Sequence, residues 1–95
     1  MRKYELMLII NPELQETDRA ALIDDIKDEL KTANVKISSE DIWWTKDLAY
    51  KINGSKTGFY ILLQIESEGD KFFEVTKNFN IKKDLWRHMF IKQED

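Results

Sequence analysis

Apolar residues recur along this chain at two spacings, every second position or every third to fourth. The places where one spacing gives way to the other fix the order of its elements. From Arg2 to Asn11, Tyr4, Leu6, Leu8 and Ile10 share one face, with Lys3, Glu5, Met7 and Ile9 on the other. This is a strand with apolar residues on both sides. Asn11 and Pro12 end it, because proline lacks the donor a ladder needs and asparagine tolerates turn conformations. Leu22, Ile26, Leu30 and Ala33 then follow at helical spacing, with Thr17 or Asp18 as N-cap and Asn34 as the C-terminal stop.

Val35 to Asn53 is extended again and longer than an ordinary strand, which calls for a bend or bulge near its middle. Residues 53–58 form a turn in which Asn53-Gly54 is a strong hairpin signal, since both residues accept positive φ. Phe59 to Glu66 alternates as a third strand. A second, shorter helix opens near Gly69 and Asp70 and carries Phe72, Val75 and Phe79. Asp84 to Lys92 is the last strand, setting Trp86, His88 and Phe90 against Leu85, Arg87, Met89 and Ile91.

Strand, helix, strand, strand, helix, strand in 95 residues has one favoured solution. It is an α+β, ferredoxin-like βαββαβ sandwich, a four-stranded antiparallel sheet with both helices on one face. A hydrophobic content of 42% supports one core, so residues 1–95 are expected to form a single domain. The opposite sheet face would receive Met7, Ile9, Leu62 and either Met89 and Ile91 or Trp86 and Phe90. That is more apolar surface than a lone monomer displays, and it points to a partner.

Catalytic chemistry finds little support. His88 is the only histidine, and no serine nucleophile or second imidazole stands at a useful spacing, so a packed or partner-facing histidine is the better reading. Asp24, Asp25, Asp28 and Glu29 are interspersed with lysines, the pattern of a solvated helix face rather than a metal site. No glycine-rich phosphate loop opens a helix, and Lys56 to Ile61 matches an RNA-stacking strand poorly because only Tyr60 would project onto the open face. Neither catalytic residues nor a metal or cofactor is expected. With no cysteine and no apolar run beyond Leu6 to Ile10, the chain reads as soluble and intracellular, with no membrane partner.

The net charge of −3 disfavours nucleic acid at first sight. Resolved along the chain, it divides into −4 over Glu13 to Lys31 and +4 over Lys71 to Lys92, with Arg2 and Lys3 adding to the basic side. First and last strands lie side by side in this topology, so the two basic groups can converge on one edge. Such a patch can hold phosphates despite the total, because distant charges are screened beyond about 8 Å at physiological salt.

The assembled residues resemble the bacterial small-subunit ribosomal protein six family. Arg2-Lys3-Tyr4-Glu5-Leu6 with Asn11-Pro12 is similar to its opening strand and turn. Lys46-Asp47-Leu48-Ala49-Tyr50-Lys51-Ile52-Asn53 matches its central signature. Gly58-Phe59-Tyr60 and Gln64-Ile65-Glu66 fit the next strand, and Asn80-Ile81 with Leu85 to Lys92 fit the last. Two departures stand out: Trp44 where the signature has glycine, and Lys51 where the family often has proline. The resemblance implies a cytoplasmic, structural constituent of the small ribosomal subunit. It would bind the central domain of small-subunit ribosomal RNA together with small-subunit ribosomal protein eighteen, and be monomeric when isolated. Arg2, Lys3, Lys46, Arg87 and Lys92 are the implied RNA contacts, Arg87 foremost because a guanidinium grips phosphate bidentately. Met7, Tyr60, Leu62 and Met89 are the candidates for protein contact. The alternative is a ferredoxin-like regulatory or small-molecule-binding domain that dimerises through its open sheet face.

Overall fold

The computed structural model describes residues 2–68 and 74–93. Six elements follow in the expected order: β1 (Arg2–Ile10), α1 (Glu16–Thr32), β2 (Lys36–Ile52), β3 (Ser55–Ser67), α2 (Val75–Asn80) and β4 (Leu85–Lys92). The strands form one antiparallel sheet in the order β2-β3-β1-β4. The α+β sandwich expected from periodicity is therefore the fold observed.

Alternation decides which residues enter the core. Tyr4, Leu6, Leu8 and Ile10 of β1 and Phe59, Ile61, Leu63 and Ile65 of β3 all point to the helices and are buried there with Ile26, Leu30, Val75, Phe79 and Leu85. Each such side chain contributes about 1.5–3 kcal/mol on leaving water. Arg19 of α1 lays its guanidinium carbon 4.3 Å from the centre of the Phe59 ring, which confirms Phe59 as a helix-facing residue.

Element ends differ from the sequence expectation in two places. Neither Thr17 nor Asp18 caps α1; Gln15 holds that position without a side-chain cap. The Asn11-Pro12 turn, tied by the Glu13 amide donating to Asn11 Oδ1 at 3.0 Å, delivers the chain early, so the acids Glu16 and Asp18 sit inside the first turn, where the helix dipole favours them. The turn is shorter than residues 53–58. Asn53 (φ 49°) and Gly54 (φ 80°) turn the chain by themselves, and Ser55 already pairs with Ile52. The anticipated opening of α2 at Gly69 and Asp70 lies outside the described residues. Asn34 does stop α1, with φ 62°.

The hairpin of β2 and β3 runs far beyond the other two strands. It gives the molecule a long axis of 37 Å against 25 and 21 Å for the others. As its length requires, β2 is irregular, with register shifts between Ile37 and Ser39, Ile42 and Trp44, and Asp47 and Ile52.

Candidate partner and nucleic-acid face

The face turned away from the helices is built in rows by the register of three strands. Met7 lies opposite Leu62 on β3 and opposite Met89 on β4, so three of the four expected protein contacts form one line. Ile9, one rung on, stands between Tyr60 and Arg87, which brings the fourth alongside. β4 settles its open choice of face through a bulge. Ile10 pairs with Leu85 but Ile9 with Arg87, leaving Trp86 as the extra residue. Leu85 goes to the core, and Arg87, Met89 and Ile91 go to the open face. Met89 is 57% and Ile91 40% exposed. Below this apolar band, the Gln93 amide donates to Glu5 Oε1 at 2.7 Å and Gln64 Oε1 at 2.6 Å, a polar border across the sheet.

The basic residues do not gather on one edge as the charge pattern suggested. Arg2 is opposite Ser67, Lys3 opposite Glu66 and Lys92 opposite Tyr4, so these three share one end of the sheet. Arg87, level with Ile9, and Lys46, opposite Gly58, belong to the other end. Five residues of strand between Arg87 and Lys92 span about 17 Å, two screening lengths, so the groups act as separate sites. Lys82 leaves the basic set altogether, pairing with Asp25 of α1 and lying 3.5 Å from Glu29. Partial burial pulls its ammonium down, but the two carboxylates outweigh that and hold its pKa above the usual lysine value.

The signature segment takes a form that alternation does not anticipate. Asp47 pairs with Thr57 and Ile52 with Ser55, so Leu48, Ala49, Tyr50 and Lys51 oppose Lys56 alone. The surplus arches over the open face. Leu48 comes down on Gly58: a Cβ there would lie 3.2 Å from Leu48 Cδ2 and 2.6 Å from Ile9 Cγ2, so only glycine admits this approach. Farther along the arch, Arg87 Nη1 donates to the Tyr50 phenol oxygen at 2.8 Å, with its guanidinium carbon 5.0 Å from the ring centre. Tyr50 was not among the site residues expected from sequence; its place in the signature was the available signal. Trp43, the extra residue of the bulge before Trp44, receives the Lys46 ammonium 4.6 Å from its ring centre.

His88 faces α2, its ring edge-on to Phe79 at 5.4 Å and to Phe90 at 6.1 Å. Burial lowers its pKa, which keeps it neutral in the packed layer. Among the described residues no three His, Cys, Asp or Glu side chains are placed to hold a metal ion, and no helix is long and apolar enough to cross a membrane.

Comparison with known proteins gives a consistent result. The profile of the family described as Ribosomal protein S6 matches residues 3–92. The small ribosomal subunit protein bS6 of Fusobacterium nucleatum is 37% identical over 94 residues, covering 99% of this chain and all of that one. Its counterpart in Desulforamulus reducens is 36% identical, covering 98% of each. The crystal structure of 30S ribosomal protein S6 from Thermotoga maritima superposes with a TM-score of 0.90 at 22% identity, over 97% of this chain and 87% of that one. The C-terminal domain of MgtC from Mycobacterium tuberculosis shares the fold alone, at a TM-score of 0.58 and 8% identity, over 99% and 89%.

Proposed function

The chain belongs to the ribosomal protein S6 family, and from that premise we propose that it serves the small ribosomal subunit by binding, without catalysis, the central domain of small-subunit ribosomal RNA jointly with ribosomal protein eighteen. The row Leu62–Met7–Met89 carries this reading. It is an apolar strip in the middle of a solvent-facing sheet, with Tyr60 and Ile91 beside it, and it needs a protein to cover it. The RNA meets the two basic ends: Arg2, Lys3 and Lys92 at one, Arg87 and Lys46 at the other.

Five cations in two separate groups on a chain of net charge −3 support weak autonomous binding, with a log–log salt slope of no more than roughly 4.5. The partner supplies much of the remaining positive charge. Titration of central-domain RNA with and without ribosomal protein eighteen tests the model, and tight binding by this chain alone overturns it. Sedimentation of the isolated chain separates it from a regulatory domain that dimerises through the same face. A monomer is expected; a stable homodimer favours the other reading.

A further inference from the structure

Tyr50 and Arg87 belong to opposite edges of the sheet, because β2 and β4 are the outer strands. Three interstrand spacings, about 14 Å, separate those edges, yet the two side chains are hydrogen-bonded. The contact exists because four residues of β2 face one of β3, and because Gly58 lets Leu48 sink to the sheet and aim the arch toward β4. Tyr50 is 61% exposed. A residue so open contributes little to the core, so the extended arch is poorly explained by packing alone.

Arg87 has five N–H donors in a planar fork. The phenol oxygen takes one of them from Nη1, and the ring lies against the guanidinium. A free arginine on an exposed strand samples many rotamers, and ordering it on a ligand is costly. Held by a hydrogen bond and a ring face, Arg87 has fewer orientations to lose while keeping donors for a bidentate grip. We propose that Tyr50 is a positioning residue that preorganises Arg87 to bind an RNA phosphate, and that this is a task of the arch formed by Leu48 to Lys51. The inference rests on the RNA-binding reading of Arg87 given above.

The test is a double-mutant cycle on the full-length protein, measured as affinity for a central-domain transcript in the presence of ribosomal protein eighteen. Arg87→Ala should weaken binding and lower the magnitude of the log–log salt slope by about 0.9, the signature of one lost phosphate contact. Tyr50→Ala should weaken binding about two- to tenfold, the cost of ordering one rotamer-rich side chain, while the salt slope stays unchanged because the charge remains. In the Arg87→Ala background, Tyr50→Ala should have no further effect. Tyr50→Phe, which keeps the ring and loses the phenol oxygen, should fall between wild type and Tyr50→Ala and guards against misfolding of the larger truncation. Binding by Tyr50→Ala equal to wild type, with Arg87→Ala still weakened, overturns the positioning role alone. An undiminished penalty for Tyr50→Ala in the Arg87→Ala background does so too, since Tyr50 would then act independently. Wild-type affinity and slope in Arg87→Ala would overturn the phosphate assignment itself.

Discussion

The Arg87 guanidinium and the Tyr50 phenol meet at 2.8 Å across the whole width of the sheet, over the backs of β3 and β1. Both groups are exposed, so their bond is worth about 0–1 kcal/mol to the fold. Arg87→Ala is therefore expected to leave the melting temperature nearly unchanged in a thermal scan. A large drop would make Arg87 a structural residue and remove it from the RNA-contact set.

Two glycines near the hairpin should fail for different reasons. Gly58→Ala places a methyl 2.6 Å from Ile9 Cγ2, an overpacking cost of about 1–3 kcal/mol. Adding Ile9→Ala, which removes that Cγ2, should make the Gly58 substitution less harmful than it is alone. Gly54 has open space around it but φ 80°, so Gly54→Ala should cost about 1–2 kcal/mol through backbone strain and show no such rescue. Chemical denaturation of the three single variants and of each glycine variant combined with Ile9→Ala checks both.

Lys82 ties the last connection to α1, with its side chain only 13% exposed between Asp25 and Glu29. Glu29 Oε2 is buried with no hydrogen-bond partner among the described residues, so removing the lysine strands a carboxylate that is already poorly solvated. Lys82→Met should destabilise by about 1–2 kcal/mol, and a second change, Glu29→Met, should recover a good part of it. Because the folded pKa of Lys82 is raised, its contribution is full below the ordinary value of 10.5 and fades as pH rises through the folded value. Stability of the wild type, but not of Lys82→Met, should carry that alkaline loss.

His88 gives the opposite sign. Its folded pKa is lowered by burial, so between the folded value and 6.5 the unfolded chain binds a proton that the folded chain refuses. Stability is thus full above 6.5 and falls as pH drops toward the folded value. Melting temperatures taken between pH 7.5 and about 5 should decline, and His88→Gln should flatten the decline. An equal slope in the variant would assign it to other groups.

Met89 is the most exposed member of the apolar row. Met89→Asp should change stability by no more than about 0.5 kcal/mol, yet reduce affinity for the protein partner at least ~10-fold if the row is the centre of the interface. Calorimetric titration with ribosomal protein eighteen measures the second quantity. Unimpaired binding would move the interface off this face.

Local periodicity revealed what depends on neighbours in the chain. Tyr4, Leu6, Leu8 and Ile10 could be assigned to the core because strand alternation is rigid, and Asn34 and Asn53-Gly54 because few residues take positive φ. Met7 and Leu62 followed from the same alternation. What stayed hidden depends on counting across strands. The bulge that ejects Trp86 puts Leu85 and Arg87 on opposite faces of β4, and no feature of Leu85 to Lys92 announces it. The surplus of β2 at Leu48 to Lys51 is invisible without its register against β3, so Tyr50 passed as a signature letter rather than a partner of Arg87. Charge was legible as a total but not as a map. Lys82 turned inward to the acids of α1, and strand length carried Arg87 away from Arg2, Lys3 and Lys92.

The interior position of β1 has a consequence for how the molecule is made. β1 precedes both of its sheet neighbours in the chain, and they arrive at different times. β3 is available once Ser67 has left the exit tunnel, whereas β4 is not until Lys92 has. For the interval of translation between them, β1, β2, β3 and α1 can assemble a three-stranded intermediate whose margin is the bare edge of β1, carrying Leu6, Leu8 and Ile10 beneath an incomplete helical cover. Such an edge is adhesive toward any other extended chain. Nascent chains stalled or cut before Leu85 are thus candidates for aggregation or degradation, and pairing of the eight residues of β4 is the step that closes this edge.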